Sequence, residues 1–250
     1  MRVRRWQVEI AATLIVAAIV VYALRWWLFP SESFHTEMVR YLLDDIAFLF
    51  IQVLLVSMLI DGLMQRRQRE TTLDKLNMIV GAFFTQCGTD LLGRIAKLDT
   101  RLDAVREDLL VRATWKARDY EHAMQAFRAH EAVIELSASD LAVLRERLDQ
   151  EKAYLLSLLG NQALLEHEAF TDLLWAVAHL TEELHARADF DHLPAPDRSH
   201  LTVDVKRAYT LLGVQWIDYL RHLQVQYPFL FSLSVRTNPL DPEASVTVVA

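Results

Sequence analysis

Residues 166–185 hold the densest set of side chains able to move protons or ligate a metal: Glu166, His167, Glu168, Asp172, His179, Glu182, Glu183 and His185. Glu182-x-x-His185 has the spacing used by helical di-metal carboxylate sites, which need such a pair on each of two helices, projecting into a bundle core. The direction of these groups can be tested from helix geometry. At roughly 100° per residue with Glu168 at zero, Asp172, His179, Glu182 and Glu183 fall within roughly 60° of it. Phe170, Leu173, Val177, Leu180 and Leu184 gather on the opposite side, and His185 lies away from both centres. The acids and His179 therefore point away from their own helix's apolar stripe. A core metal site is disfavoured on this reading. Its ligands would be Glu168, Asp172, His179 and Glu183, and no cofactor is expected.

Trp175 lies on the same acidic face, about 20° from Glu168. A large amphipathic ring among carboxylates marks a contact surface. Trp175, Glu168, Asp172, His179, Glu182 and Glu183 would compose it, facing a basic partner, a neighbouring subunit or an inter-subunit cation. Further on, Asp197 and Ser199 read as caps of the next helix. His200 reads as exposed, and neither it nor Asp204 is expected to ligate. No phosphate-binding Gly-rich loop, HExxH or Gly-x-Ser-x-Gly occurs, so no enzymatic activity is expected.

Charge narrows the partners. The chain carries −7 overall, but residues 1–69 hold 8 Lys/Arg against 6 Asp/Glu, and residues 70–250 hold 18 against 27. An acidic second part repels a phosphate backbone, so nucleic acid is excluded as a partner. Cys87 is the single cysteine, which rules out an internal disulfide and places the thiol on an apolar helical stripe.

The elements that must position these groups are helical, and the fold class expected is all-α. Residues 8–29 and 41–64 are apolar stretches long enough to cross the roughly 30 Å hydrocarbon core of a bilayer. Together, residues 1–69 are expected to form a two-helix transmembrane hairpin. Arg2, Arg4 and Arg5 flank the first stretch, while Arg66, Arg67 and Arg69 follow the second, where they would meet anionic headgroups. The positive-inside rule then puts both termini in the cytoplasm of a bacterial inner membrane. The second stretch carries Asp44 and Asp45 near one end, Asp61 near the other, and Gln52 in the middle. Taking Asp44 as zero, Asp45 falls near 100° and Asp61 near 260°, so the acids do not form one pore-lining stripe. Gln52 is the mid-membrane group able to bridge helices by hydrogen bonds.

Residues 70–227 are expected to form a helical bundle. Leu73, Leu76, Val80, Phe83 or Phe84, Cys87, Leu91, Leu92, Ile95, Leu98, Leu102, Val105 and Leu109 recur at steps of three and four, a heptad-like run over 70–110 with a fresh start after Gly88. Helices are expected at 114–136, at 141–159 after a Ser137–Asp140 capping box, at 162–188, and from Ser199 to Tyr227, where Leu201, Val205, Ala208, Tyr209, Leu212, Trp216, Tyr219, Leu220, Leu223 and Tyr227 share one face. Residues 228–250 read as an irregular or short extended tail. The phrases LLEHEAFTDLLWAVAHLTEEL (164–184) and YPFLFSLSVRTNPLDP (227–242) resemble an uncharacterised family of prokaryotic membrane proteins. The resemblance implies a two-helix anchor with a helical cytoplasmic part and implies no activity. The function expected is a membrane-anchored interaction or scaffold protein, a homo-oligomer in the lipid bilayer. The alternative is a subunit of an ion channel or transporter built from two-helix hairpins.

Overall fold

The structure, a computed structural model, describes residues 5–28, 34–161, 164 and 167–247; the side chains of 5–11, 34–36, 38, 61–62 and 65–75 lie outside this description. The chain divides into two units, Met1–Thr71 and Thr72–Ala250. Among the described residues the secondary structure is helical, with one isolated antiparallel bridge, Asp99–Ile134.

In the first unit, α1 is Arg5–Leu28; α2 is Phe34–Phe83 and crosses the division between units. Val39–Ile60 is a 22-residue stretch of α2 with mean hydropathy 2.2, long and apolar enough to span a membrane. The described apolar stretch of α1, Ala12–Leu28, is shorter than a span. Among the described residues, one candidate span therefore stands where the sequence suggests two. Arg25 Nε lies 3.1 Å from Asp44 Oδ1, an ion pair joining α1 to α2. Asp45 and Gln52 are exposed. Asp61, Arg66, Arg67 and Arg69 fall in α2, with side chains outside the described set.

The heptad-like run over 70–110 does not continue as one helix. A π-helical turn, Phe84–Gly88, follows α2 and leads directly into α3, Thr89–Ala96. The backbone stays helical at Gly88 and Thr89, so no new N-cap forms there. A π turn inserts one residue, which lets the adjacent Phe83 and Phe84 both turn inward along with Cys87. Arg147 Nη2 donates to the Gln86 carbonyl within this turn at 2.9 Å, and Arg147 Nη1 pairs with buried Glu151 at 2.6 Å. Burial pushes the Cys87 thiol up to about 12, with the Glu151 charge adding to the shift. Short turns follow, including α4, Arg106–Leu109.

Helix α5 is Ala117–Ala129 and stops well before 136. The physical cause is the bridge: Thr100 N donates to Val133 O at 3.0 Å and Glu135 N to Leu98 O at 3.3 Å, which holds 130–136 extended. Helix α6, Ala138–Leu159, begins with the expected capping box, in which Asp140 N donates to Ser137 Oγ and Ser137 N to Asp140 Oδ2. Helix α7 is Glu168–His185, and His167 Nδ1 accepts from Phe170 N at 3.1 Å as its N-cap. Helix α8, Ala195–Gln226, starts four residues before Ser199, with Pro194 at its cap position; Ser199 lies inside it.

Helix α8 is the axis of the second unit and packs on α3, α5, α7 and α9. Of its expected stripe, Leu201, Val205, Ala208, Tyr209, Leu212, Trp216, Leu220 and Leu223 are buried, whereas Tyr219 is half-buried and Tyr227 is exposed. Gly213 lets α5 approach closely, since a Cβ there would lie 2.3 Å from the Phe127 ring. The tail is not extended at first: Pro228–Arg236 forms α9. Proline at the first helical position costs no hydrogen bond, so Pro228 ends α8 and starts α9. Beyond it, buried Asn238 Oδ1 accepts from Trp216 Nε1 at 3.1 Å and from Leu240 N at 3.2 Å. Pro239 lies against Gly93 of α3.

Candidate functional site

Helix α7 presents the acidic face that its sequence suggests. Glu168, Asp172, Trp175, His179 and Glu182 are exposed, and Trp175 is 60% exposed. Its opposite side, Phe170, Leu173, Val177, Leu180 and Leu184, is in the core. The face divides along its length. Glu168, Asp172 and Trp175 stand in its first half. Its second half is met by the first turns of α8, which bring His200 and Asp204 to His179 and Glu183.

His179 Nε2 lies 3.9 Å from Glu183 Oε1 and 3.5 Å from Asp204 Oδ2. His200 Nε2 lies 3.5 Å from Glu183 Oε2 and 3.4 Å from Asp204 Oδ2. On each helix the pair sits at i, i+4, so His179 and Glu183 share one face of α7 while His200 and Asp204 share one face of α8. Two arginines hold the carboxylates. Arg187 Nη1 donates to Glu183 Oε2 at 2.9 Å and Arg187 Nε donates to Asp197 Oδ2 at 2.9 Å. The Arg187 hydrogen bond keeps the Glu183 carboxyl below the usual carboxylate range, and it does the same for Asp197. Arg207 Nη1 donates to Asp204 Oδ1 at 3.2 Å.

Of the residues named from the sequence, His179 and Glu183 come together in this cluster. Glu168 and Asp172 do not belong to it. Glu182 instead pairs with Lys152 of α6 at 2.9 Å, and His185 with Asp149 at 3.0 Å. Asp197 stands in the first turn of α8, as a capping acid would, and its partner is Arg187. His200 and Asp204 are the members that the sequence reading set aside. His200 is indeed half-exposed, but Asp204 is buried. The signal was present as two His-x-x-x-acid pairs, His179/Glu183 and His200/Asp204.

The profile described as the C-terminal helical domain of uncharacterized protein MJ1433 matches residues 72–236, and that of the MJ1433 N-terminal helical domain matches residues 2–64. Uncharacterized protein MJ1433 of Methanocaldococcus jannaschii is 38% identical over 243 residues, covering 97% of this chain and 96% of the relative. The chain belongs to the MJ1433 family. The cluster on α7 and α8 lies inside the C-terminal helical match of that family. Asn238 and Pro239 lie just past its end. No solved structure matches the chain.

Proposed function

We propose that this member of the MJ1433 family is a membrane-anchored helical interaction protein, a homo-oligomer that presents an acidic helical unit to the cytoplasm. The observation that carries this reading is the state of Val39–Ile60: only 6% of its most apolar window is buried. A core helix of a soluble protein covers such a surface with other elements, whereas this one leaves it for lipid. In the finer form of the proposal, α1 crosses beside it, both termini are cytoplasmic, and Arg66, Arg67 and Arg69 meet headgroups on that side. Asp44 is paired with Arg25, which supports an anchor over a conduction path lined by free carboxylates.

The contact surface on the soluble unit is the exposed part of α7 around Trp175, with Glu168, Asp172 and Glu182. Within the membrane, exposed Gln52 is the residue that bridges copies. In detergent micelles, light scattering is expected to give a defined oligomer for the full chain. Gln52→Leu should weaken its association roughly 3–20-fold, the range for a single interhelical side-chain hydrogen bond. Trp175→Ala should leave that oligomer intact while reducing capture of a basic partner. A monomeric wild-type chain would reject the oligomer, and unchanged capture by Trp175→Ala would reject the surface.

A further inference from the structure

We propose that His179, Glu183, His200 and Asp204 bind one divalent first-row transition-metal ion, of the Zn2+ class, which latches the start of α8 to the end of α7. This inference is independent of the membrane reading. Ligand atoms of His179, Glu183 and His200 all lie within 4.8 Å of one another. The fourth member supplies a separate observation. Asp204 is 3% exposed, and its Oδ2 is buried with no hydrogen-bond partner. That oxygen points between the two imidazoles, 3.5 Å from His179 Nε2 and 3.4 Å from His200 Nε2.

Those separations distinguish a metal from a hydrogen bond. An N–H donor would sit at about 2.7–3.2 Å. A tetrahedral ion with bonds of about 2.0–2.1 Å sets neighbouring ligand atoms about 3.3–3.4 Å apart. The two imidazole–Asp204 distances, and the 3.5 Å from His200 Nε2 to Glu183 Oε2, are close to that edge. The 3.9 Å from His179 Nε2 to Glu183 Oε1 is longer than that edge.

The donor set selects the ion. Two imidazoles disfavour Ca2+ and Mg2+, which take oxygen shells, and the absence of thiolate from the cluster disfavours Cu+. Two carboxylates with two neutral imidazoles cancel the charge of a divalent ion. The outer partners are also in place. Arg207 holds Asp204 by Oδ1, which leaves Oδ2 for the ion, and Arg187 fixes Glu183 against Asp197. His179, Glu183 and His200 form the mutually close set, and Asp204, reaching both imidazoles, would supply the fourth ligand of a structural site.

The test uses the full chain in detergent, stripped with chelator and titrated with Co2+ as a spectroscopic probe and then with Zn2+. The expected result is about one Co2+ per chain with the ligand-field bands of a tetrahedral site, bleached by Zn2+. Asp204→Asn and His200→Gln should each weaken Co2+ binding at least about tenfold, while Glu168→Gln/Asp172→Asn binds as wild type. His200 is half-exposed, so His200→Gln keeps the test valid if Asp204→Asn fails to fold, which circular dichroism reports. Absence of tetrahedral Co2+ bands in the wild type, or binding by His200→Gln equal to wild type, would overturn the site.

Discussion

Trp216→Ala is expected to lower the thermal midpoint of the helical unit by roughly 6–20 °C, the equivalent of about 3–5 kcal/mol for a unit of this size. Trp216 is buried at the centre of α8, with its ring 5.2 Å from Phe84 of the π turn. Its Nε1 donates to Asn238, so one side chain joins the π turn, the long axial helix and the tail. Truncation opens a cavity where three elements meet, and none of them can move in without breaking contacts elsewhere. Trp216→Phe separates the two contributions. It keeps most of the ring volume and loses the donor, at about 0.5–1.5 kcal/mol. Far-UV circular dichroism of the full chain in micelles measures both. A midpoint for Trp216→Ala within about 2 °C of wild type would show that the tail is not anchored through this ring.

Asp99→Ala is expected to cost about 3–5 kcal/mol, because it leaves three hydrogen-bond partners inside the unit without their carboxylate. The Asp99 side chain is wholly buried, and His130 Nε2 lies 2.6 Å from its Oδ2. Its Oδ1 accepts from Arg101 N and Val133 N, each at 3.1 Å. This carboxylate therefore organises the 97–101 turn and the extended 130–135 segment together. Buried Tyr209 of α8 stands beside it. Burial, then the Asp99 charge, pushes the Tyr209 hydroxyl far above its ordinary value. Asp99→Asn should cost less, about 1–3 kcal/mol, because the amide oxygen still accepts from the two backbone amides. Glu121→Ala is the control: its pair with Arg221 is exposed and is worth no more than about 1 kcal/mol. If Asp99→Ala and Glu121→Ala were equally mild in denaturant unfolding, the Asp99 hub would not hold these segments.

What could be read from the sequence was what is set locally. The Ser137–Asp140 box and the stripe from Leu201 depend on one helix's own period; the box forms as expected, and the stripe is buried as far as Leu223 except for half-buried Tyr219, and ends before exposed Tyr227. The fresh start expected after Gly88 is replaced by a π turn, because the backbone stays helical there and the added residue turns both Phe83 and Phe84 inward. The end of α5 escaped because its cause lies far upstream, in the 98–100 backbone that bonds Val133 and Glu135. The tail read as extended because Pro228, a stop for α8, also serves as a start for α9. At the site, the arithmetic on α7 correctly placed its acids away from its own stripe. It could not say which helix covers the second half of that face. His200 and Asp204 arrive from α8 by tertiary packing, and a single-helix projection contains no information about them.

Val39–Ile60 is proposed to anchor this chain in a bilayer. Alkaline carbonate extraction of membranes from cells expressing the full chain tests it most directly. The account predicts that the chain stays in the membrane pellet, and that replacing Leu55 and Leu59, both exposed on α2, by arginine releases it. Recovery of the unaltered chain in the carbonate supernatant would contradict the account.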